Sequence, residues 1–384
     1  MAASISGSGA RICYPSAPRG TRRRAAAVIS VRSSLATSSA ATRNPSSGMR
    51  MIGRQWTEIQ GARDWDGLLS PLDGALRGEL VRYGEFVRAA YASFDFDGGA
   101  APWSYGSCRF PIGSLLRRSG LPETGYRVTR LLHAASNYIG YVAVCDDEDE
   151  IERLGRRDVV VAFRGTATCS EWVHNFKSSL THIPSSHGEE EAMVESGFWR
   201  LFTTPGKAHD SLQQQVRGEV GRIVGEYGGD GMPPLSVTVT GHSLGAALAV
   251  LAAYEITTAA AASSDEAAAP PIMVTAVSFG GPRVGNAAFR RRLEESGGKV
   301  LRVVNSNDIV TKVPGFAADD GDCGDVPAAA RRKTRVARWL VSKMGWAYSD
   351  VGCELRLCNE GTARNVVASH DLDLYLKLVA ACTD

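Results

Sequence analysis

The chain has 384 residues, of which 44% are hydrophobic and 22% are charged, and its formal net charge is +2. This balance is typical of a globular protein that buries a large core, and so small a net charge does not indicate a nucleic-acid partner. The sequence contains no run of 18 or more apolar residues. It therefore predicts no transmembrane segment, and we expect any action on a membrane to be peripheral.

The N-terminal part of the chain has an unusual charge pattern, because no Asp or Glu occurs before Glu58. The same stretch is rich in Ser, Ala and Arg and lacks the long apolar core of a secretory signal, which is typical of an organelle transit peptide. We therefore interpret residues 1–55 as a transit peptide, expected to be disordered, and residues 60–384 as a single domain. A basic tail without a targeting role is the alternative. Plastid and mitochondrial presequences overlap in composition, so this pattern leaves both organelles open.

The cysteines do not form a recognisable metal or redox pattern. No C-x-x-C pair occurs, and no Cys/His cluster has the spacing of a zinc site, so we predict neither a metal nor a cofactor. A disulfide framework is not expected in a chain of this length. A single bridge, such as Cys353–Cys358, stays open.

Hydrophobic periodicity predicts alternating strands and helices. The first predicted element is a helix that carries Leu76, Leu80, Val87, Tyr91 and Phe94 on one face, and it is followed by strands at 140–145 and 159–163 with an acidic turn at 146–150 between them. A helix at 207–227, a strand at 235–240 and an Ala-rich helix at 244–256 come next. The last predicted elements are a loop insertion at 257–271 and strands at 274–279 and 300–304. This order predicts an α/β fold with a mostly parallel central sheet and helices on both faces.

The run Gly241-His242-Ser243-Leu244-Gly245 has the G-x-S-x-G pattern of a nucleophile elbow. The pattern is short, but here a β-branched strand precedes it and a helix of small residues follows it, which is the strand–turn–helix context that an elbow requires. At the start of that helix, the helix dipole favours developing negative charge. We therefore predict that Ser243 is the nucleophile of a serine hydrolase. An ordinary strand-to-helix turn with a capping serine is the alternative.

A serine hydroxyl needs a general base to act as a nucleophile. In α/β folds with a nucleophile elbow, the catalytic residues follow along the chain in the order Ser, Asp or Glu, His. His370 is the only histidine after Ser243 and is therefore the predicted base. Asp308 follows a predicted strand and is the preferred acid, with the role of orienting the imidazole. We interpret His242 as a buried packing or hydrogen-bonding residue. The competing acids are Asp319, Asp320, Asp322 and Asp325, in a loop that no predicted strand precedes.

Two backbone N–H groups are the expected oxyanion hole. One belongs to Leu244, which follows the nucleophile, and the other to Thr166, which follows the buried strand at 159–163. The residues just after Thr166 predict a short amphipathic lid helix that carries Trp172, Val173 and Phe176. An ordinary surface helix explains the same periodicity equally well.

Taken together, these motifs resemble the class 3 lipase family and, within it, the plant phospholipase A1 branch of "defective in anther dehiscence"-like lipases. The resemblance covers about residues 65–379. The motifs that carry it are Pro71–Asp73, Tyr83–Glu85, Phe163–Thr166, Trp172, Gly241–Gly245, Val277–Asn286, Asn307–Val310, Val313–Pro314, Trp346–Tyr348, Val351–Gly352 and Glu354–Leu357. It implies an α/β-hydrolase lipase fold with a short lid helix. Class I members of that branch carry plastid presequences, so the plastid is the expected location and the mitochondrion the alternative.

The resemblance also implies a function. The expected reaction is hydrolysis of the sn-1 acyl ester of phospholipids, with galactolipids as a further substrate class and triacylglycerol as a third. The free polyunsaturated fatty acid released is a precursor of jasmonate. The substrate is expected at a membrane surface, and protein partners are not predicted. A thioesterase or small-ester esterase, and a non-catalytic lipase-like signalling scaffold, are the alternatives.

A basic segment between Arg331 and Lys343 interleaves cationic residues with Val336, Trp339 and Leu340. Such a segment suits docking on an anionic bilayer. A solvated helix face is the more common explanation of this pattern. Both this segment and the loop insertion at 257–271 depart from the family's pattern.

Overall fold

The computed structural model describes residues 47–96, 106–121, 123–166, 179–184, 191–263, 272–313, 348–358 and 366–382. From Ser47 onward, the described residues belong to one compact unit. The strands in the described residues are β1 (Tyr126–Ala134), β2 (Asn137–Cys145), β3 (Arg157–Phe163), β4 (Leu180–His182), β5 (Met193–Glu195), β6 (Leu235–His242), β7 (Met273–Phe279), β8 (Gly285–Asn286), β9 (Lys299–Asn305), β10 (Tyr348–Ser349) and β11 (Cys353–Leu357).

The helices complete the alternation that the sequence predicts. Those in the described residues are α1 (Ser47–Ile59), α2 (Gly74–Ala92), α3 (Leu115–Arg118), α4 (Glu148–Leu154), α5 (Ser196–Thr203), α6 (Leu212–Tyr227), α7 (Leu244–Ser263), α8 (Ala287–Glu295), α9 (Val366–Ser369) and α10 (Leu372–Ala381). Several begin where the sequence supplies a cap. Asp73 accepts hydrogen bonds at the start of α2, and Ser211 and Gln214 form a capping box at the start of α6.

The main sheet has the strand order β1-β2-β3-β6-β7-β9-β11. β1, β2 and β3 pair antiparallel, and from β3 to β11 every pairing is parallel. Its two faces bury separate apolar clusters, one under α6 and α7 and the other under α2 and α10. A smaller antiparallel sheet of β10, β8, β5 and β4 lies beside it. This is the α/β-hydrolase lipase fold that the sequence predicts, with a mostly parallel sheet between two helical layers.

The carboxyl ends of β3, β6, β7 and β9 lie at one edge of the sheet because these strands are parallel. β6 ends at His242, one residue before Ser243, while β9 ends at Asn305, three residues before Asp308. The strand order therefore gathers the predicted site at this edge, where α/β proteins bind their ligands.

The folded part of the chain begins before residue 60. α1 starts at Ser47, Ile52 packs against the cluster formed by Cys145, Ile151 and Leu154, and Ile59 is buried under α2. The predicted domain start therefore falls one helix too late, because the apolar residues of α1 complete the core. The assignment of the N-terminal residues as a transit peptide stays a prediction.

Several element boundaries also differ from the sequence-based expectations. α6 begins at Leu212 and not at 207, because Ser211 caps it, and the acidic turn after Cys145 is the start of α4, capped by Asp147. The segment from Thr257 is not a loop at its beginning, since α7 continues to Ser263. Alanine has the highest helix propensity, and Ile256 and Thr257 are buried.

α7 is also long and apolar enough, by length and composition, to cross a membrane. Its window Leu244–Ala261 has a mean hydropathy of 1.5, and 72% of the window is buried inside the fold. That burial is typical of the core helix of a globular protein. Cys353 and Cys358, the pair given as an example of a possible bridge, are both free thiols; Cys353 begins β11 and Cys358 directly follows it.

Candidate active site

Ser243 occupies a sharp turn between β6 and α7. Its φ angle is +59°, a left-handed conformation that non-glycine residues rarely adopt, and its side chain is buried. The Ser243 N–H donates to the Phe279 carbonyl at 3.0 Å, so the turn is fixed to the neighbouring strand β7. Strain of this kind is found at functional sites, where it holds a side chain in one direction.

The two glycines of the motif are required by close backbone contacts. A Cβ atom at Gly241 would lie 2.2 Å from the Gly245 carbonyl oxygen, and one at Gly245 would lie 2.5 Å from the Arg164 carbonyl oxygen. The strand, the turn and the helix therefore pack more closely than any other residue at these positions permits.

Asp308 and His370, predicted from separate loops, lie side by side. His370 Nδ1 is 2.6 Å from Asp308 Oδ2, and both side chains are buried. An ionised carboxylate only accepts hydrogen bonds, so His370 Nδ1 carries the proton and Nε2, on the opposite side of the ring, is the unprotonated nitrogen. The pair therefore has the tautomer that a general base toward a serine hydroxyl requires.

The Asp308 carboxylate is supported by two further donors. The Tyr375 hydroxyl, from α10, donates to Asp308 Oδ2 at 2.7 Å, and the Val310 N–H donates to Asp308 Oδ1 at 2.9 Å. With His370, three donors compensate the loss of water around a buried charge. Tyr375 was not predicted as a site residue. The available signal was a tyrosine on the otherwise apolar face of α10, with Leu372, Leu376 and Val379.

The loop that carries His370 is held at both ends. Asn305, the last residue of β9, donates through Nδ2 to the Ser369 carbonyl at 2.9 Å. Asp371 caps α10 by accepting from the Leu374 N–H. His370 therefore stands between two short helices, α9 and α10, whose ends fix its backbone.

His242 is a buried hydrogen-bonding residue, as its position in the motif predicted. Its Nδ1 lies 2.9 Å from the Tyr91 hydroxyl, and its Nε2 lies 2.8 Å from the His370 carbonyl oxygen. Burial and the neighbouring His370 lower the pKa of His242 to about 3, so the imidazole is neutral at ordinary pH. With both ring nitrogens engaged, His242 is not available as a base.

Thr166 and Leu244 border the elbow, where the sequence places the oxyanion hole. Leu244 begins α7, and Thr166 follows β3 at the edge of the described residues. Among the described residues, Thr166 Oγ1 is buried and has no hydrogen-bond partner. Arg164 braces this loop, because its guanidinium donates to the carbonyls of Tyr138 at 2.9 Å and Gly165 at 2.7 Å.

Three sequence features lie outside the described residues. They are the predicted lid residues Trp172, Val173 and Phe176, the competing acids between Asp319 and Asp325, and the basic segment from Arg331 to Lys343. The lid and the basic segment therefore stay predictions from sequence.

Known proteins are similar to this chain in sequence. Residues 160–318 match the family described as Lipase (class 3). Phospholipase A(1) DAD1, chloroplastic, of Arabidopsis thaliana is 47% identical over 358 residues, which cover 85% of this chain and 76% of the relative. Galactolipase DONGLE, chloroplastic, of the same plant is 36% identical, and the match covers 85% of this chain and 70% of the relative. Phospholipase A1 EG1, chloroplastic/mitochondrial, of Oryza sativa subsp. indica is 38% identical, and the match covers 85% of this chain and 75% of the relative.

Among solved structures, a lipase propeptide complex of Rhizomucor miehei aligns with a TM-score of 0.49 and 17% identity over 81% of each chain. The sequence relatives carry the assignment, because their similarity spans most of both proteins at well above 30% identity. The chain therefore belongs to the class 3 lipase family, in the branch that contains the chloroplast phospholipases A1 of plants.

Proposed function

We propose that the chain is a phospholipase A1-type acylhydrolase that cleaves the sn-1 acyl ester of phospholipids, and of galactolipids as a further substrate class, to release a free fatty acid. The observation that carries the proposal is the 2.6 Å contact of His370 Nδ1 with the buried Asp308 carboxylate, beside a serine at a strained strand-to-helix turn. The names of the relatives supply the substrate classes, since they include phospholipases A1 and a galactolipase.

In the proposed first half-reaction, Ser243 Oγ attacks the ester carbonyl carbon while His370 Nε2 takes the hydroxyl proton. The N–H groups of Leu244 and Thr166 then hold the oxyanion, and the Thr166 hydroxyl is a third donor at the same place. Because α7 begins at Leu244, its positive end faces the developing negative charge. Asp308 stabilises the imidazolium that forms.

In the proposed second half-reaction, His370 first gives its proton to the leaving lysolipid oxygen, which leaves an acyl ester on Ser243. Water then attacks this ester with His370 as the base, and collapse of the intermediate returns the proton to Ser243 and releases the fatty acid. Every proton that leaves Ser243 or water is accounted for by His370. The reaction balances with water as the only second substrate.

The first prediction concerns Ser243→Ala. This change removes the nucleophile but retains a Cβ atom at a φ of +59°, so we expect unchanged thermal stability and a loss of lipid hydrolysis on the order of 10⁶-fold. Release of fatty acid from phosphatidylcholine vesicles and the melting temperature are the two measurements. A fluorophosphonate probe should label the wild-type chain and not the variant. Substantial turnover by Ser243→Ala would refute the nucleophile assignment.

The substrate is tested with positionally labelled lipids. Phosphatidylcholine and monogalactosyldiacylglycerol that carry different acyl chains at sn-1 and sn-2 are incubated with the protein, and the released acids are identified. We expect the sn-1 chain from phosphatidylcholine first. Release of the sn-2 chain, or hydrolysis of a monomeric short-chain ester or thioester but of neither lipid, would support the esterase or thioesterase alternative.

A non-catalytic signalling scaffold is the alternative from another class. Such a protein has no need of a buried imidazole–carboxylate pair, so the 2.6 Å contact of His370 Nδ1 with Asp308 supports the catalytic proposal. Absence of fluorophosphonate labelling at Ser243 in the folded wild-type chain would favour the scaffold.

We further propose that the protein acts in the plastid. The acid-free, Arg- and Ser-rich N-terminus and the chloroplastic names of the relatives support this location. The rice relative's name also includes mitochondria, so the mitochondrion is the second outcome to test. Residues 1–60 fused to a fluorescent protein should enter plastids in leaf cells, and a cytosolic signal would contradict the proposal.

A further inference from the structure

Tyr91 and His242 form a buried chain of hydrogen bonds that ends on the backbone of the proposed base. Tyr91 lies near the end of α2, and its hydroxyl is 2.9 Å from His242 Nδ1. His242 Nε2 is 2.8 Å from the carbonyl oxygen of His370. His242 is only 4% exposed, so water does not compete for either contact. These two hydrogen bonds thus connect α2, a helix of the outer layer, to the loop that carries His370.

The direction of both hydrogen bonds follows from the acceptor at the end of the chain. A carbonyl oxygen only accepts, so His242 Nε2 must carry the proton and donate it to the His370 carbonyl. His242 Nδ1 therefore has a free lone pair, to which the Tyr91 hydroxyl donates. The His370 carbonyl therefore selects the neutral Nε2–H tautomer of His242, and the Tyr91 hydroxyl stabilises that tautomer by donating to Nδ1.

The Tyr91–His242 pair also touches the other two loops of the site. A Cβ atom on Gly165, the neighbour of Thr166, would lie 2.2 Å from the Tyr91 hydroxyl and 2.8 Å from the His242 carbonyl oxygen. His242 precedes Ser243 in the chain, and its ring centroid is 4.7 Å from that of His370, with 35° between the planes. The oxyanion loop, the elbow and the base loop therefore all pack against these two side chains.

We propose that Tyr91 and His242 are positioning residues, which set the height and tilt of His370 over Ser243 without taking part in the proton transfers. This inference rests on the proposed function of His370 as base and acid. The Asp308 contact fixes one end of the imidazole, but it leaves rotation about that contact free. The bond from His242 to the His370 carbonyl fixes the backbone on which the ring turns. A displacement of about 1 Å in a reacting group costs on the order of 100-fold in rate.

The test compares two esters with the same acyl chain, one with an alkyl and one with a p-nitrophenyl leaving group. An alkoxide needs a proton from His370 to leave, whereas nitrophenolate leaves without one. A displaced His370 therefore lowers kcat/KM for the alkyl ester more than for the aryl ester. A merely structural change lowers both equally, because it reduces only the fraction of active protein.

The variants are chosen to separate these cases. Tyr91→Phe removes one hydroxyl, and we expect the alkyl-to-aryl ratio of kcat/KM to fall about tenfold. His242→Leu removes both bonds and should lower the ratio further. His242→Gln retains an amide N–H that can reach the His370 carbonyl, so it should recover part of the ratio. Tyr141→Phe is the matched control, since the Tyr141 hydroxyl makes an equally buried 2.8 Å bond to the Phe86 carbonyl of α2, away from the site.

An unchanged ratio in folded Tyr91→Phe would overturn the inference, even if His242→Leu failed to fold. Equal ratios for His242→Gln and His242→Leu would overturn the role of the His370 carbonyl contact. Failure of the wild-type chain to hydrolyse either ester would instead refute the proposed function, and the positioning role with it. These outcomes are distinguishable because the first two require an active wild-type protein.

Discussion

The negative charge of Asp308 is completely buried, and its cost is offset by hydrogen bonds from three different segments. His370 and Tyr375 donate to one oxygen and the Val310 N–H to the other. Removing a single partner of a buried charge is costly because the rest of the charge stays out of water. The same three donors orient the carboxylate toward His370 Nδ1. The stability of the site and its proposed chemistry therefore depend on the same contacts.

We predict that Asp308→Asn lowers kcat by about 10⁴-fold with little change in KM. An amide N–H cannot accept the proton of His370 Nδ1, so the amide favours the wrong tautomer of the imidazole, as in other serine triads. Steady-state kinetics on a phospholipid dispersion are the measurement. Fluorophosphonate labelling of Ser243 should slow in parallel.

Asp371→Asn is the control for this prediction. Asp371 is the exposed cap of α10, one residue after His370, and asparagine is an equally good cap. We expect near wild-type kinetics from it. Similar losses in the two variants would mean that charge near His370, and not the contact with Nδ1, is what matters.

At the residue scale, the sequence predicts what its local context defines. Ser243 lies in a five-residue motif between a strand and a helix, and His370 is the only histidine after it. The roles of Tyr91 and Tyr375 are set by partners 151 and 67 residues away. Periodicity identifies both tyrosines only as members of an apolar helix face, since the hydroxyl's partner depends on packing between elements.

At the element scale, the sheet separates two kinds of polar cluster. The proposed site lies at the carboxyl ends of the parallel strands, and a charged network lies at the amino ends, between α2 and the starts of β3 and β6. In that network, Arg156 contacts Glu79 at 3.0 Å, and Arg82 contacts both Glu79 at 2.6 Å and Asp158 at 3.1 Å. Burial alone would raise the pKa of Glu79, but the two arginines lower it to about 2.

We predict that Arg156→Met destabilises the fold by about 3–5 kcal/mol, because it leaves the buried Glu79 and Asp158 with one cation fewer. Arg156 is fully buried and also donates to Ser236 at 2.9 Å. Urea unfolding at pH 7.5 is the measurement. The kcat of the fraction that remains folded should not change, since the network is at the opposite end of the strands from Ser243.

Arg290→Met provides the comparison, because Arg290 pairs with Glu294 at 3.0 Å on the surface of α8, where both side chains are nearly half exposed. The free energy of unfolding of this variant should decrease by less than about 1 kcal/mol. Equal losses in the two variants would show that the network contributes no more than a surface arginine.

The elements themselves were predictable to different degrees. Strands that are apolar on both faces, such as β3 and β6, were predicted within two residues of their ends. β1 was missed because it is an edge strand in which only three of nine residues are buried and which includes the cationic Arg127 and Arg130. The end of α7 was missed because an alanine run suits a solvated loop and a helix equally, and only burial at Ile256 and Thr257 distinguishes them.

At the scale of the whole molecule, the change in the free energy of unfolding with pH depends on the buried groups whose pKa is lower in the folded chain than in the unfolded chain. The pKa of His242 is lowered to about 3, and that of Glu79 to about 2. Both groups therefore bind protons more readily in the unfolded chain, so each favours unfolding as the pH falls. For His242 the loss begins below its unfolded pKa of about 6.5, and for Glu79 only below about 4.5. Between about pH 6.5 and about pH 4.5, His242 therefore contributes more than Glu79 to the loss of stability.

We therefore predict that the free energy of unfolding decreases between pH 7.5 and pH 5.0, with about 2 kcal/mol of the decrease due to His242. His242→Gln has no titrating group, so its stability should be lower at pH 7.5 but should fall less on acidification. Urea unfolding of both proteins at the two pH values is the measurement. His133, whose pKa burial and the neighbouring His209 and Arg130 lower to about 4, titrates in both proteins and cancels in the comparison. Parallel decreases in the two proteins would mean that His242 takes up a proton in the folded state, which would break its bond from Tyr91 and contradict the neutral tautomer on which the positioning role depends.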